Sequence, residues 1–251
     1  MQVLWPTPID VQRFADAATV NPVLARAFGA IRLAMESERQ AFFASPDDLL
    51  DRVELPEFTQ LVQFIAGSAQ QLAKQANAQA WPQGRLSLDL RFAGCWFQIQ
   101  NGQAFHDVHT HGNCSWSGVY YVQIDEAAKR QTHPTLGKLN GATRFYGPYS
   151  QLQGGAYMDM GNAYLQSNTL DIQPEEGMLV LFPPWLQHKA MAYEGEKDRI
   201  IVSFNLQIHS RDGNQIHAYA GSGAPAPLPP GRPAPGTGRR ASAFPARDRS
   251  R

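Results

Sequence analysis

Two periods divide the chain. Behind Asn21-Pro22, which reads as an N-cap followed by proline at the first helical position, Leu24, Phe28, Ile31 and Met35 recur at spacings of four, three and four. A second amphipathic helix is predicted after Pro56. Its stripe is Phe58, Leu61, Val62, Ile65, Ala69 and Leu72, fading into a Gln/Ala-rich end near residue 78. From Arg85 the period becomes two: Leu86, Leu88, Leu90 and Phe92 alternate with polar residues. The runs "CWFQIQ", "SGVYYVQI", "TRFYG", "LDIQP", "MLVLFPPW", "HKAMAY" and "DRIIVSFNLQIH" follow, divided by Gly, Pro, Asn and Asp clusters. Seven or eight short strands without intervening helices predict an antiparallel sandwich or jelly roll.

The expected architecture is therefore mainly β with N-terminal helices. Residues 1–84 form a helical support region, 85–220 a β core built onto it as one structural domain, and 221–251 a tail. The helices either brace the barrel or pair subunits in a homodimer. The loop-rich interval 125–176 contains "GGAYMDMGNAY", which reads as a long insertion able to act as a lid.

Composition changes this picture at three points. With 43% hydrophobic residues in 251, the chain can bury a substantial core. Its longest apolar runs, such as Met178 to Pro184, fall far short of the roughly 20 residues a membrane span needs. The start "MQVLWPTPIDVQRF" has neither the basic opening nor the small-residue cleavage site of a secretory signal, so the expected location is cytoplasmic. Two cysteines, Cys95 and Cys114, are too few for a disulfide framework and suit a reducing compartment, with one structural disulfide left open.

The formal net charge of zero conceals an asymmetry. Residues 221–251 hold six arginines against the single acid Asp248, so this segment is +5 and the rest of the chain −5. The same segment carries seven of the 18 prolines and almost no large apolar residue, and it reads as a disordered, solubilising extension. No basic stripe interleaved with aromatics marks a nucleic-acid surface.

The candidate chemistry is concentrated in "HDVHTHGNCSWSGVYYVQ", residues 106–123. His109 and His111 are two apart, so on an extended strand both rings leave the same face and can converge on one ion. His188 follows the apolar run "MLVLFPPWLQ", where a later strand of the same barrel would begin. A jelly roll places such distant strands side by side, so three imidazoles could occupy one face of an ion and leave the opposite positions open. His106, His133, His209 and His217 read as ordinary hydrogen-bonded surface or core residues.

In "DRIIVSFNLQIH", Arg199, Ile201, Ser203, Asn205 and Gln207 share one face and Ile200, Val202, Phe204, Leu206 and Ile208 the other. A guanidinium pointing into a barrel is an expensive buried charge unless an anion meets it. Its planar fork matches a carboxylate in bidentate fashion, so a dicarboxylate ligand would serve. The plainer reading pairs Arg199 with Asp198, Glu194 or another acid at a strand end.

"H-T-H" (109–111), "SGVYYV" (117–122), "FPPWLQH" (182–188) and "RIIVSFN" (199–205), taken in this order and spacing, resemble the iron(II)- and 2-oxoglutarate-dependent dioxygenases. More narrowly the chain is similar to a bacterial and phage branch of that superfamily. The likeness runs from "LWPTPI" (4–9) through "GATRFYGP" (141–148) to about Ile208. It implies a double-stranded β-helix, a cupin-like jelly roll, holding Fe(II) on His109, His111 and His188. Arg199 would receive the distal carboxylate of the cosubstrate 2-oxoglutarate, with Tyr121 and Ser203 at positions that hydrogen-bond it.

The implied reaction takes a small-molecule substrate and dioxygen, hydroxylates an unactivated C–H bond and releases succinate and carbon dioxide. Two departures stand out. Most of the superfamily has aspartate where His111 stands, and Asp107 is the nearby acid that could replace it, since it too lies two residues from His109. Ile201 occupies a position where many relatives carry serine. Trp116, Trp185 and Tyr120 could line the substrate pocket, and core packing explains each equally well. Two other readings compete: a three-histidine, cupin-type dioxygenase that does not use 2-oxoglutarate, and a non-enzymatic jelly-roll binding module.

Overall fold

The computed structural model describes residues 7–81, 87–147 and 168–211. The expected lid "GGAYMDMGNAY", Arg85 and Leu86 at the predicted strand start, His217 and the Pro/Arg-rich tail lie outside them. The chain divides into two units, Met1–Asn214 and Gln215–Arg251, and every described element belongs to the first.

In chain order the elements are β1 (Asp10–Arg13), α1 (Ala17–Met35), β2 (Phe42–Ala44), α2 (Leu49–Arg52), α3 (Pro56–Ala76) and β3 (Leu88–Gln100). Then come β4 (Ala104–His109), β5 (Trp116–Gln123), α4 (Ala127–Arg130), a 3-10 turn at Gly137–Leu139 and β6 (Thr143–Tyr146). The chain closes with β7 (Thr169–Ile172), β8 (Met178–Phe182), β9 (His188–Tyr193) and β10 (Arg199–Ser210). The strands form a six-stranded sheet in the order β1-β8-β5-β10-β3-β2 and a four-stranded sheet in the order β4-β9-β6-β7. All pairings between the strands are antiparallel.

The large sheet is buried on both faces, which is why β5 and β8 read as continuous apolar runs. Its outer face carries Tyr120, Val122, Leu179, Leu181, Ile200, Val202, Phe204 and Leu206, and it packs against Leu24 and Phe28 of α1 and Phe58, Leu61, Ile65 and Leu72 of α3. The ring of Phe28 stacks on that of Phe97 at 4.5 Å between centroids. The apolar stripes of both long helices are therefore covered within the chain, except at Met35 near the end of α1, which is 46% exposed. The inner face meets the small sheet in a second core of Val119, Tyr121, Phe145, Ile172, Val180, Phe182 and Ile201.

Two helix boundaries illustrate local signals, one obeyed and one overridden. Pro56 opens α3 as predicted, with its missing N–H falling where no intrahelical partner exists. Asn21 is not an N-cap: α1 begins at Ala17, so Pro22 lies inside the helix. Asn21 is buried and accepts a 2.6 Å hydrogen bond from the hydroxyl of Tyr120, so a tertiary contact has claimed the side chain. β1 and β2 were not predicted. Each is only three or four residues long and pairs at an edge of the large sheet.

The free cysteines Cys95 and Cys114 form no disulfide. No helix among the described residues is long and apolar enough to cross a membrane.

At Gly118 in β5 the ring of Phe204 on β10 lies directly over the backbone, and a Cβ would also come within 2.9 Å of the Val180 carbonyl oxygen. Gly118→Ala is expected to cost about 1–3 kcal/mol by forcing apart three strands of the large sheet. A denaturant midpoint equal to that of the parent would contradict this packing.

Candidate metal centre

His109 closes β4 and His188 opens β9, and the two residues are direct cross-strand partners. Their rings are 4.2 Å apart between centroids. His111 is not on the strand, contrary to expectation. It lies past the end of β4, where its backbone N–H donates to the Pro184 carbonyl at 2.8 Å, so the turn before β9 holds it in place. One nitrogen from each of the three rings lies within 4.8 Å of the others, and the Nε2 atoms of His111 and His188 are 3.3 Å apart. Among the described residues these three are the cluster whose ligand atoms stand close enough together to hold a metal ion.

The backbone fixes the rings. Nδ1 of His109 donates to the Asp107 carbonyl at 2.7 Å and Nδ1 of His188 to the Leu186 carbonyl at 2.9 Å. A ring bonded this way keeps the proton on Nδ1 and leaves the Nε2 lone pair free, the arrangement by which metal-binding histidines are oriented. Burial lowers the pKa of His188 to about 3 and of His111 to about 4, so both are neutral at pH 7.

Asp107 does not join them. β4 is irregular between His106 and His109, where three residues span two of β9. A bulge shifts side chains to the opposite face. Asp107 is thereby turned outward, its side chain 78% exposed and 3.4 Å from the ammonium of Lys189. The same shift carries His106 to the inner side. Its ring stacks on that of His109 at 4.1 Å, and burial lowers its pKa. Sequence spacing missed His106 because three residues apart on a regular strand means opposite faces.

Deeper in the same cleft, Arg199 is only 1% exposed. Its guanidinium lies over the Tyr121 ring at 5.4 Å and donates through Nη1 to Oε1 of Gln100, its cross-strand neighbour, while Nε has no partner. The plainer pairing does not occur: Asp198 binds Arg39 at 2.7 Å, and Glu194 lies against His133 at 3.3 Å. Ser203 and Ile201 line the cleft beside Arg199, together with Trp96, Gln98, Thr143 and Phe182. The Tyr121 hydroxyl is hydrogen-bonded to Thr143 at 2.7 Å.

The three aromatic residues considered for the pocket stand elsewhere. Tyr120 and Trp116 belong to the helix-facing core, and Trp185 is 51% exposed. Beside His111 stand the rings of Phe182 at 6.0 Å and Trp96 at 6.3 Å.

Residues 94–205 match the protein family described as "Putative 2OG-Fe(II) oxygenase". The matched segment spans β3 to β10 and includes all three clustered histidines and Arg199. That segment is similar to 2OG-Fe(II) oxygenase domains. No curated protein sequence matches the chain.

Among solved structures, SnoN, a non-haem α-ketoglutarate-dependent epimerase of nogalamycin biosynthesis, superposes with a TM-score of 0.52. The identity is 16%, over 92% of this chain and 89% of that one. HygX from Streptomyces hygroscopicus, solved with nickel and 2-oxoglutarate, gives 0.49 at 12% identity, over 80% of this chain and 82% of that chain. A prolyl-4-hydroxylase from Pseudomonas putida gives 0.48 at 14%, over 80% and 88%. The SnoN likeness concerns the fold: the two facing sheets are a double-stranded β-helix, mostly β with N-terminal helices.

The residues fit the groups that the oxygenase family is named for. Two nitrogens held about 2.1 Å from one ion at roughly a right angle stand about 3 Å apart, close to the separation of the His111 and His188 Nε2 atoms. The buried, partnerless Nε of Arg199 is a cationic donor without an anion.

Folding suppresses protonation of His188 and His111 in the metal-free protein, because each pKa falls from 6.5 to the values above. The unfolded chain then binds more protons, so this stability is fully present above pH 6.5 and is lost as pH falls toward 4. Melting of the metal-free protein is expected at lower temperature near pH 5 than near pH 7.5, with a shallower dependence in His188→Gln. Equal slopes for the two proteins would refute the assignment.

Proposed function

We propose that this chain is an iron(II)- and 2-oxoglutarate-dependent dioxygenase that hydroxylates an unactivated C–H bond of a small-molecule or amino-acid-derived substrate. The observation that carries the reading is the pairing, in one cleft, of three clustered imidazoles with a buried guanidinium that no carboxylate of the described residues neutralises. His109, His111 and His188 would hold the iron, and Arg199 the distal carboxylate of 2-oxoglutarate, with Tyr121 and Ser203 beside it. When bound, iron with 2-oxoglutarate reduces dioxygen, one oxygen atom passing to succinate and the other to the substrate, with carbon dioxide released.

The protein's own contribution is placement. The Asp107 and Leu186 carbonyls lock two rings with their lone pairs turned inward. Arg199 offers charge-assisted donors in a site screened from water, where such bonds are strongest. Phe182 and Ile201 give the cleft that holds the imidazoles and the arginine an apolar wall. The unpaired thiols of Cys95 and Cys114 accord with a cytoplasmic location.

A second reading is favoured by one observation: the donor set contains no carboxylate. A three-histidine dioxygenase without 2-oxoglutarate would have that set, yet it has no use for an unneutralised Arg199.

Two variants and one spectrum test the proposal. Anaerobic addition of iron(II) and 2-oxoglutarate together should give a weak visible charge-transfer band that neither gives alone. His188→Ala should lose the iron; full stoichiometry in that variant would overturn its role. Arg199→Ala should retain iron while its affinity for 2-oxoglutarate falls by about 100-fold, the loss of a buried charged hydrogen-bonded pair. Substrate turnover without succinate would favour the second reading.

A further inference from the structure

The residue behind Arg199 has no assigned part in the chemistry, and its environment is unusual. Gln100, at the end of β3, is fully buried (0% exposed) and stands directly across from Arg199 on β10. A guanidinium has only donors, so the atom that meets it must be the amide oxygen, and the amide nitrogen is turned away. That nitrogen, Gln100 Nε2, is buried with no hydrogen-bond partner, as is Arg199 Nε. Two buried donors on cross-strand neighbours thus lack acceptors. Each would satisfy an anion, and neither would satisfy the other.

The identity of the group at position 100 decides the charge of the site. A buried arginine is ordinarily paired with a carboxylate. Here the nearby acids are engaged elsewhere: Asp198 with Arg39 and Arg32, Glu194 with His133, and Asp125 as acceptor for the Glu196 backbone N–H. The partner Arg199 does have is uncharged. It fixes the fork through one hydrogen bond and leaves the positive charge uncompensated.

We propose that Gln100 is the positioning residue that makes this site selective for a dicarboxylic cosubstrate: it orients Arg199 as an uncharged acceptor and so reserves the guanidinium for an external carboxylate. The inference rests on the 2-oxoglutarate reading above. It adds that selectivity for the distal carboxylate is set from β3, by a residue outside the metal ligands and outside the β10 face that carries Arg199. Glutamate at this position would match glutamine in shape, supply an internal counterion and close the site to the cosubstrate.

The test compares two probes in the anaerobic, iron(II)-loaded protein by titration calorimetry: 2-oxoglutarate, and 2-oxobutyrate, which keeps the keto-acid end and lacks the distal carboxylate. The parent should prefer 2-oxoglutarate by about 100-fold. In Gln100→Glu the preference should collapse to within about threefold, with iron stoichiometry and 2-oxobutyrate affinity retained. A merely structural role would weaken both probes together and keep their ratio, and that result overturns the proposal. So does a Gln100→Glu protein that keeps the parental ratio.

If Gln100→Glu does not fold, Gln100→Met serves, since it removes the acceptor without adding charge. It should lower the preference by about tenfold, and an unchanged ratio overturns the proposal. A parent that binds iron but shows no preference between the probes overturns instead the reading of Arg199 on which this inference stands.

Discussion

The proposed chemistry of this molecule depends on how β4 is paired against β9. Cross-strand pairing brings His109 to His188, and the hydrogen bond from His111 to Pro184 draws a third ring to the same spot from beyond the strand end. A regular strand would have placed Asp107 on the side of His109 and turned His106 away. One extra residue in β4 reverses both, leaving an all-imidazole cluster with the nearest acid in solvent beside Lys189. A bulge at the rim of a barrel thus selects the donor set.

That selection has an electrostatic consequence. Burial keeps His111 and His188 uncharged at neutral pH, and no imidazole can supply the negative charge that would offset the guanidinium deeper in the cleft. With a divalent ion bound as proposed, the cleft would concentrate positive charge with no internal carboxylate to balance it. A dianion such as 2-oxoglutarate is suited to that imbalance, since one end can meet the metal and the other the arginine. The aspartate common in the dioxygenases this chain resembles would lower the positive charge by one, and under the proposed function its absence shifts more of the balance onto the cosubstrate.

Support for the cleft comes from the other side of the sheet. β10 turns Arg199, Ile201 and Ser203 inward and Ile200, Val202, Phe204 and Leu206 toward the helices, so one strand joins the site to the larger core. The stacked Phe28 and Phe97 and the Tyr120–Asn21 hydrogen bond tie α1 to that sheet. The helices hold in place the wall from which Arg199 projects.

Much of this was legible beforehand. Period-two alternation located β3 and β10, continuous apolar runs located β5 and β8, and Pro56 marked the start of α3, because these signals record burial and backbone chemistry local to each segment. Alternation put Arg199 on one face with Ile201 and Ser203 and left open whether it met a ligand or an acid at the strand end. The motif order around His109, His111, His188 and Arg199 pointed to the family.

Other features had no local signature. Asn21 reads as a cap until Tyr120 arrives from a strand 99 residues away. The bulge that exchanges His106 for Asp107 arises from pairing with β9, which the residues of β4 do not encode by themselves. Gln100 looks like any polar residue at a strand end, and only the register of β3 against β10 sets it behind a guanidinium. The sequence by itself determined which segments are strands and helices and which side chains carry chemistry, since periodicity and residue type are properties of the chain. Tertiary structure alone decided which of those side chains meet, because register and bulges depend on partners far along the polypeptide.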